Sequence, residues 1–141
     1  MSKQGFTLIE LLVVIGIVAI LSTIVLVAVN PSRQFAVARD TARRNDLYQI
    51  LNALHQYAVD NAGAYPIQIQ TNNWLDIGNC DGCLNFGAVL VPTYIPAIPF
   101  DPSTGDPQTG TTDYVLARET DGRFTATASS AEVSVPLTIT R

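Results

Sequence analysis

A single carboxylate lies in an otherwise uncharged stretch near the start of the chain. Glu10 is the only ionised side chain in residues 6–29, and nearly all residues around it are apolar. An ionised carboxylate in hydrocarbon costs roughly 2.5 to 3.5 kcal/mol on insertion scales, so its presence predicts a cationic partner. Cleavage between Gly5 and Phe6 would create an α-amine at Phe6, with a pKa of about 8. Glu10 of one copy could then pair with Phe6 of another, which predicts a polymer.

A C-x-x-C motif at Cys80 and Cys83 is the second candidate for chemistry. A redox-active thiolate needs nearby cations or a helix N-terminus, whereas the nearest charges in sequence are Asp76 and Asp81. As a zinc site the motif supplies half a ligand set, and His55 is the only histidine. Outside the cytoplasm paired cysteines are usually oxidised, so we expect a Cys80–Cys83 disulfide. Free thiols and a metal or redox role remain alternatives.

Composition limits the remaining possibilities. The chain has 141 residues and a net charge of −4, which allows one small globular domain beyond the apolar stretch. A nucleic-acid-binding domain needs a basic patch, yet residues 61–140 contain only Arg118 and Arg123 as cations. The sequence contains no Ser/His/Asp set, phosphate-binding loop or H-E-x-x-H motif. We therefore do not expect an enzyme.

Residues 6–30 form the element that must position Glu10, and we expect a transmembrane helix there. About 20 apolar residues span a bilayer, and a lone spanning segment must satisfy its backbone internally. A secretory signal peptide has a shorter apolar stretch and a small-residue cleavage site after it. A plain membrane anchor has no need of Glu10. Pro31 lacks an N–H and predicts a kink or an unwound turn, with Gly16 as a second weak point.

Residues 31–62 are predicted to continue as an amphipathic helix. One face repeats with a period of 3.6 residues and carries Leu47, Ile50, Leu51, Leu54, Tyr57 and Ala58. Gly63 is suited to a left-handed cap at the end of this helix. Asp40 and Arg44 are spaced as an i,i+4 ion pair, and the arginines of this segment predict a charged helix face.

Residues 63–141 are predicted to form a head domain with proline-rich loops followed by antiparallel strands. Five prolines at positions 92–107 exclude long regular elements there, apart from a short helix at residues 86–91. Strands at residues 114–119 and 123–128 flank a two-residue Asp-Gly turn. Alternation over residues 133–139 predicts a further strand, at the sheet edge because of Pro136. The fold class is α+β, with the sheet packed on the second half of the long helix.

The segment Gly5-Phe6-Thr7-Leu8-Ile9-Glu10, behind a leader at residues 1–5 with one lysine, resembles the signal of the type IV pilin family, which includes the type II secretion pseudopilins. The resemblance implies a pilin-like fold, cleavage after Gly5, methylation of Phe6 and an assembly role for Glu10. In family filaments part of the helix often melts on assembly, for which Gly16 and Pro31 are candidates.

The same resemblance implies partners and a location. The partners are other copies of the chain, the prepilin peptidase that also methylates, an inner-membrane assembly platform, and membrane lipid before assembly. The location is the bacterial cytoplasmic membrane, crossed once with the N-terminus inside, and afterwards an extracellular or periplasmic filament. We expect a type IV pilus-like subunit. The alternatives are a type II secretion pseudopilin and, in another class, a monomeric membrane-anchored binding or redox module.

A loop at residues 100–114 loosely resembles the calcium loop of the major pseudopilin of type II secretion. The positions carried over are Asp101, Asp106 and Asp113, and calcium takes 6–8 oxygen ligands. The chain departs from the family pattern because Ser103 replaces an aromatic residue and the spacing is longer. Calcium is the one cofactor that the resemblance suggests. The alternative is a pair of Asp-Pro turns.

Overall fold

The computed structural model describes residues 5–66, 69 and 71–141, so residues 1–4 of the expected leader lie outside it. The elements in chain order are the helices α1 (Leu8–Val29) and α2 (Pro31–Asp60), strand β1 (Leu75–Gly78), helix α3 (Gly87–Leu90), and strands β2 (Thr111–Arg118), β3 (Phe124–Ala128) and β4 (Leu137–Thr140). The chain divides into two compact units, Met1–Phe35 and Ala36–Arg141.

The first unit contains α1, which has no buried residue. Its helix ends where Asn30 adopts a left-handed conformation, with φ of 45°. Pro31 then starts α2, in the first helical position where its missing N–H costs nothing. Gly16 lies inside the continuous helix α1, so melting at Gly16 on assembly stays a prediction.

The second unit has its core between α2 and a four-stranded sheet. The strand order is β1-β2-β3-β4, and each neighbouring pair is antiparallel. The predicted face of α2 supplies Leu47, Ile50, Leu51 and Leu54, while the sheet supplies Tyr114, Leu116, Phe124, Ala126, Ala128 and Leu137. The α+β class and the packing of the sheet on the helix are therefore confirmed. Burial of these apolar side chains provides the main driving force for folding of this unit.

Local predictions are confirmed at the ends of three elements. Gly63 has a φ of 87° and donates to the carbonyl of Ala58 at 2.7 Å, which closes the end of α2. The helix α3 falls within the predicted residues 86–91. The β2–β3 hairpin is present, but its turn is longer than the predicted two residues. Glu119 N–H bonds the carbonyl of Arg123 at 2.8 Å, so residues 120–122 form the turn.

One strand prediction was wrong in its extent, and one strand was not predicted. The last strand begins only at Leu137, and Val133 and Val135 are 46% and 68% exposed instead of alternating between faces. The Asp40 carboxylate accepts from the backbone N–H groups of residues 132–134, so these groups bond a helix side chain instead of a neighbouring strand. The strand β1 was not predicted, since it is only four residues long and includes the exposed Asp76.

Candidate functional site

The start of α1 holds Glu10 in a capping box with Thr7. The Thr7 hydroxyl oxygen accepts from the Glu10 N–H at 3.3 Å. In return, the Glu10 Oε2 accepts from the Thr7 N–H and from the Thr7 hydroxyl, both at 2.7 Å. Such reciprocal bonds satisfy backbone donors that a helix start leaves without partners. They also fix where the carboxylate lies.

Phe6 and Glu10 are both exposed at this helix start, and Phe6 is 93% exposed. Both bonds to the carboxylate use Oε2, and no donor among the described residues reaches Oε1. The carboxylate can therefore accept a further donor from another molecule without leaving its cap. The sequence prediction placed its partner at Phe6 of another copy, a contact that a single chain cannot contain.

The helix α1 is long and apolar enough to cross a membrane. Its large apolar side chains are each about half exposed or more, so within the described chain none of them is covered. Length and composition alone do not distinguish an anchor from a signal sequence near the N-terminus. The residues that precede the helix are therefore needed to distinguish an anchor from a signal sequence.

The second unit contains a buried charge cluster that the sequence did not predict. Arg43 is 0% exposed, and its guanidinium donates from Nε and Nη2 to the two oxygens of Asp101 at 2.6 and 3.0 Å. Its Nη1 donates to Asp40 at 2.8 Å and to Glu132 at 3.2 Å. Glu132 also receives two bonds of 2.6 Å from Arg39. We call these five residues the Arg43 cluster.

The Arg43 cluster corrects the predicted charge pairing on α2. Asp40 pairs with Arg43 at i,i+3 and not with Arg44, which is exposed. The sequence does contain a signal for the burial of Arg43, because Arg43 lies four residues before Leu47 and so continues the buried face of the helix. Its partner Asp101 lies 58 residues away, and no local pattern identifies that pairing.

The pKa values of the carboxyls in this cluster are low. Burial opposes ionisation of Asp40, but hydrogen bonds from the backbone N–H groups of residues 132–134 and from Arg43 outweigh it and lower its pKa to about 2. Hydrogen bonds from Arg39 lower the pKa of Glu132 to about 2. Burial likewise opposes ionisation of Asp101, yet the bonds from Arg43 and from residues 103–104 hold its pKa far below the usual range. All three carboxylates are therefore ionised at neutral pH.

The three positions expected to bind calcium do not form one ligand set. Asp101 is bonded to the Arg43 guanidinium, which already provides its positive partner. Asp106 accepts from the N–H of Gln108 at 2.8 Å. Asp113 accepts from the hydroxyls of Thr104 and Ser130. Among the described residues, no group of three or more His, Cys, Asp or Glu side chains is arranged to hold a metal ion. Calcium binding at these three positions stays a prediction.

Cys80 and Cys83 form a disulfide, as expected. The two cysteines are three positions apart, and the chain-entropy model gives a ring of this size only about 2 kcal/mol of stabilisation. The bond lies in an exposed turn directly after β1.

Comparison with known proteins bears on the first unit. Residues 1–26 match the model of the prokaryotic N-terminal methylation motif. The chain carries a prepilin-type N-terminal signal. No curated protein and no solved structure matches the chain.

The match supports a signal of the kind that begins type IV pilin-like and pseudopilin precursors. It implies processing by a prepilin peptidase, and with the apolar helix α1 it fits membrane anchoring. The matched residues include Gly5, Phe6 and Glu10 and most of α1, but no part of the second unit. The individual roles of these three residues remain predictions.

Proposed function

We propose that the protein is a structural subunit of a type IV pilus-like filament. The observation that carries the proposal is Glu10, a carboxylate at the start of an uncovered apolar helix and inside the methylation motif. A monomeric anchor gains nothing from a charge at this depth, because the charge opposes insertion. In a filament subunit, the same charge can set the position of the subunit relative to its neighbour.

The proposed mechanism begins with removal of residues 1–5. The peptide bond after Gly5 is cleaved, and one methyl group is added to the new Phe6 amine, which stays basic. The chain then lies in the cytoplasmic membrane through α1, with its N-terminus inside, until the assembly platform transfers it into the filament. Its second unit lies in the periplasm or outside the cell, where a disulfide is stable.

In the filament, Glu10 of one copy pairs with the Phe6 amine of a neighbour. Two unit charges 4 Å apart interact by about 4 kcal/mol at an effective dielectric of about 20, before desolvation is counted. Desolvation cancels much of that gain, so the pair sets the register more than it adds stability. The apolar side chains of α1 hold the bundle together by packing against other copies.

Mass spectrometry of the mature chain tests the processing steps. The proposal requires loss of residues 1–5 and one added methyl on Phe6. A bulky substitution such as Gly5→Leu should leave the precursor uncleaved, because the peptidase must approach the backbone closely there. A mature chain that keeps its Met1 would support a plain membrane anchor instead. Normal processing of Gly5→Leu would contradict the role proposed for Gly5 in cleavage.

Substitution of Glu10 tests assembly separately from processing. Glu10→Gln keeps the size of the side chain and removes its charge, so we expect normal membrane insertion with loss of filaments in electron micrographs. Glu10→Asp keeps the charge on a shorter side chain and should retain partial assembly. Normal filament yield from Glu10→Gln would contradict the proposed pairing.

A further inference from the structure

The sheet of the second unit has two edges, and one of them is covered by a short turn. The strand β1 lies at one end of the sheet, and β4 lies at the other. After β1 the chain reverses through residues 79–85, which we call the edge turn. Within it, Leu84 forms a parallel bridge with Ile77 on the side of β1 that faces away from β2.

Two hydrogen bonds attach the edge turn to β1. Leu84 N–H donates to the carbonyl of Asp76 at 2.8 Å, and Gly78 N–H donates to the carbonyl of Leu84 at 3.1 Å. These are backbone groups of the outer edge, which an uncovered strand would present to other chains. The edge turn therefore closes this edge of the sheet.

Little apolar burial holds the edge turn in place. Leu84 is buried, but residues 79–82 are exposed, and Cys83 is only partly buried. The other contacts within the turn are a bond of 2.9 Å between the side chains of Asn85 and Asn79, a bond of 3.2 Å from Cys83 N–H to the Cys80 carbonyl, and the disulfide. The disulfide is the one covalent restraint among them.

We propose that the Cys80–Cys83 disulfide keeps the edge turn on β1, and that its reduction opens this edge of the sheet. The small ring constrains the unfolded chain little, so the expected effect is local opening and not loss of the whole fold. A dithiol reductant supplies two electrons and two protons: its own sulfurs join, the Cys80–Cys83 bond breaks, and two thiols remain. The inference does not depend on filament assembly.

Hydrogen exchange on the full chain in detergent micelles tests this inference. After treatment with dithiothreitol, exchange at the amides of Leu84 and Gly78 should accelerate by about tenfold or more. The Phe124 amide, bonded to the carbonyl of Arg141 at 2.7 Å beside the opposite edge, should keep its rate. Removal of the reductant and reoxidation should restore the slow exchange of the Leu84 and Gly78 amides.

Two variants separate the disulfide from other properties of the turn. Cys80→Ser with Cys83→Ser should reproduce the fast exchange without any reductant. Asp81→Ala changes the same exposed turn but keeps the disulfide, and should leave all three amide rates unchanged. Unchanged protection of Leu84 and Gly78 in the reduced chain and in the double variant would overturn the proposal. Equal loss of protection at Phe124 would also overturn it, because the disulfide would then stabilise the whole unit.

Discussion

Arg43 is one of the largest fully buried side chains of the described structure, and it carries a permanent charge. A buried ion is tolerated only when opposite charges and hydrogen bonds replace water. The guanidinium meets this condition with three carboxylates and the hydroxyl of Ser103. Within the described residues, every buried side-chain nitrogen and oxygen has a hydrogen-bond partner. Loss of one member of the Arg43 cluster therefore leaves the others uncompensated.

We predict that Arg43→Met lowers the free energy of unfolding by about 3 to 5 kcal/mol, because it leaves Asp101 charged and buried without its cation. Denaturant titration of the full chain, followed by the fluorescence of Trp74, measures this change. The matched control is Arg44→Met, at the exposed neighbouring position, which should change stability by about 0.5 kcal/mol or less. Equal effects of the two substitutions would show that the ion pair contributes nothing specific.

Thr7 has a role of its own, because its hydroxyl both accepts from and donates to Glu10. We predict that Thr7→Val, which keeps the shape of the side chain, reduces filament yield less severely than Glu10→Gln. The carboxylate keeps its charge but loses the hydroxyl that positions it. Thr23→Val is the control in the same helix, since the Thr23 hydroxyl only donates to the carbonyl of Ala19. Sedimentation of filaments gives the yields, and equal yields from both threonine variants would contradict this role.

At the scale of the secondary-structure elements, the Arg43 cluster connects two loops to α2 by ion pairs and hydrogen bonds. Asp101 belongs to the loop before β2, and Glu132 belongs to the loop between β3 and β4. The Asp40 carboxylate bonds the backbone of residues 132–134 at 2.8 to 3.1 Å. The position of both loops therefore depends on carboxylates that must stay ionised.

Acid should consequently weaken the second unit. The pKa of Asp40 falls from 3.8 to about 2 on folding, and that of Glu132 falls from 4.5 to about 2. A lowered folded pKa contributes stability above the unfolded value, and this contribution is lost as the pH falls through the folded value. We predict an unfolding midpoint that is level near pH 6 and declines between about pH 4 and 2. Asp40→Asn should flatten this decline. Asp81→Asn, in the exposed edge turn, should show the same dependence of the unfolding midpoint on pH as the unsubstituted chain.

Elements that local patterns define were predictable, and those that distant contacts define were not. The buried face of α2 follows from a period of 3.6 residues, and the β2–β3 hairpin follows from alternation around an Asp-Gly pair. Residues 133–136 also alternate, yet the backbone N–H groups of residues 133 and 134 bond a carboxylate about 90 positions earlier. An acidic loop and a loose resemblance predict Asp101 as a calcium ligand, while the cation that it bonds in the structure, Arg43, lies on α2.

At the scale of the whole molecule, the two units differ in what the sequence reveals. The processing signal consists of contiguous residues, so it was recognisable without a structure. The second unit buries its own core, and the charges of the Arg43 cluster are paired with one another. What its outer surface binds depends on side chains from separate segments, which no contiguous motif records.

The division into units predicts that the second unit folds without α1. All residues of the core cluster belong to Ala36–Arg141, whereas α1 buries none of its side chains. A fragment of residues 31–141, exported behind a cleavable secretory signal so that its disulfide forms, should be a soluble monomer. Its unfolding midpoint should lie within about 4 °C of the full chain in micelles, since no core contact is removed. Added to assembling full-length chains, it should stay in the supernatant when filaments are sedimented, because it lacks both Glu10 and the apolar helix. Aggregation of the fragment would show that α1 contributes to its fold, and its appearance in the sedimented filaments would show that assembly does not require the prepilin signal.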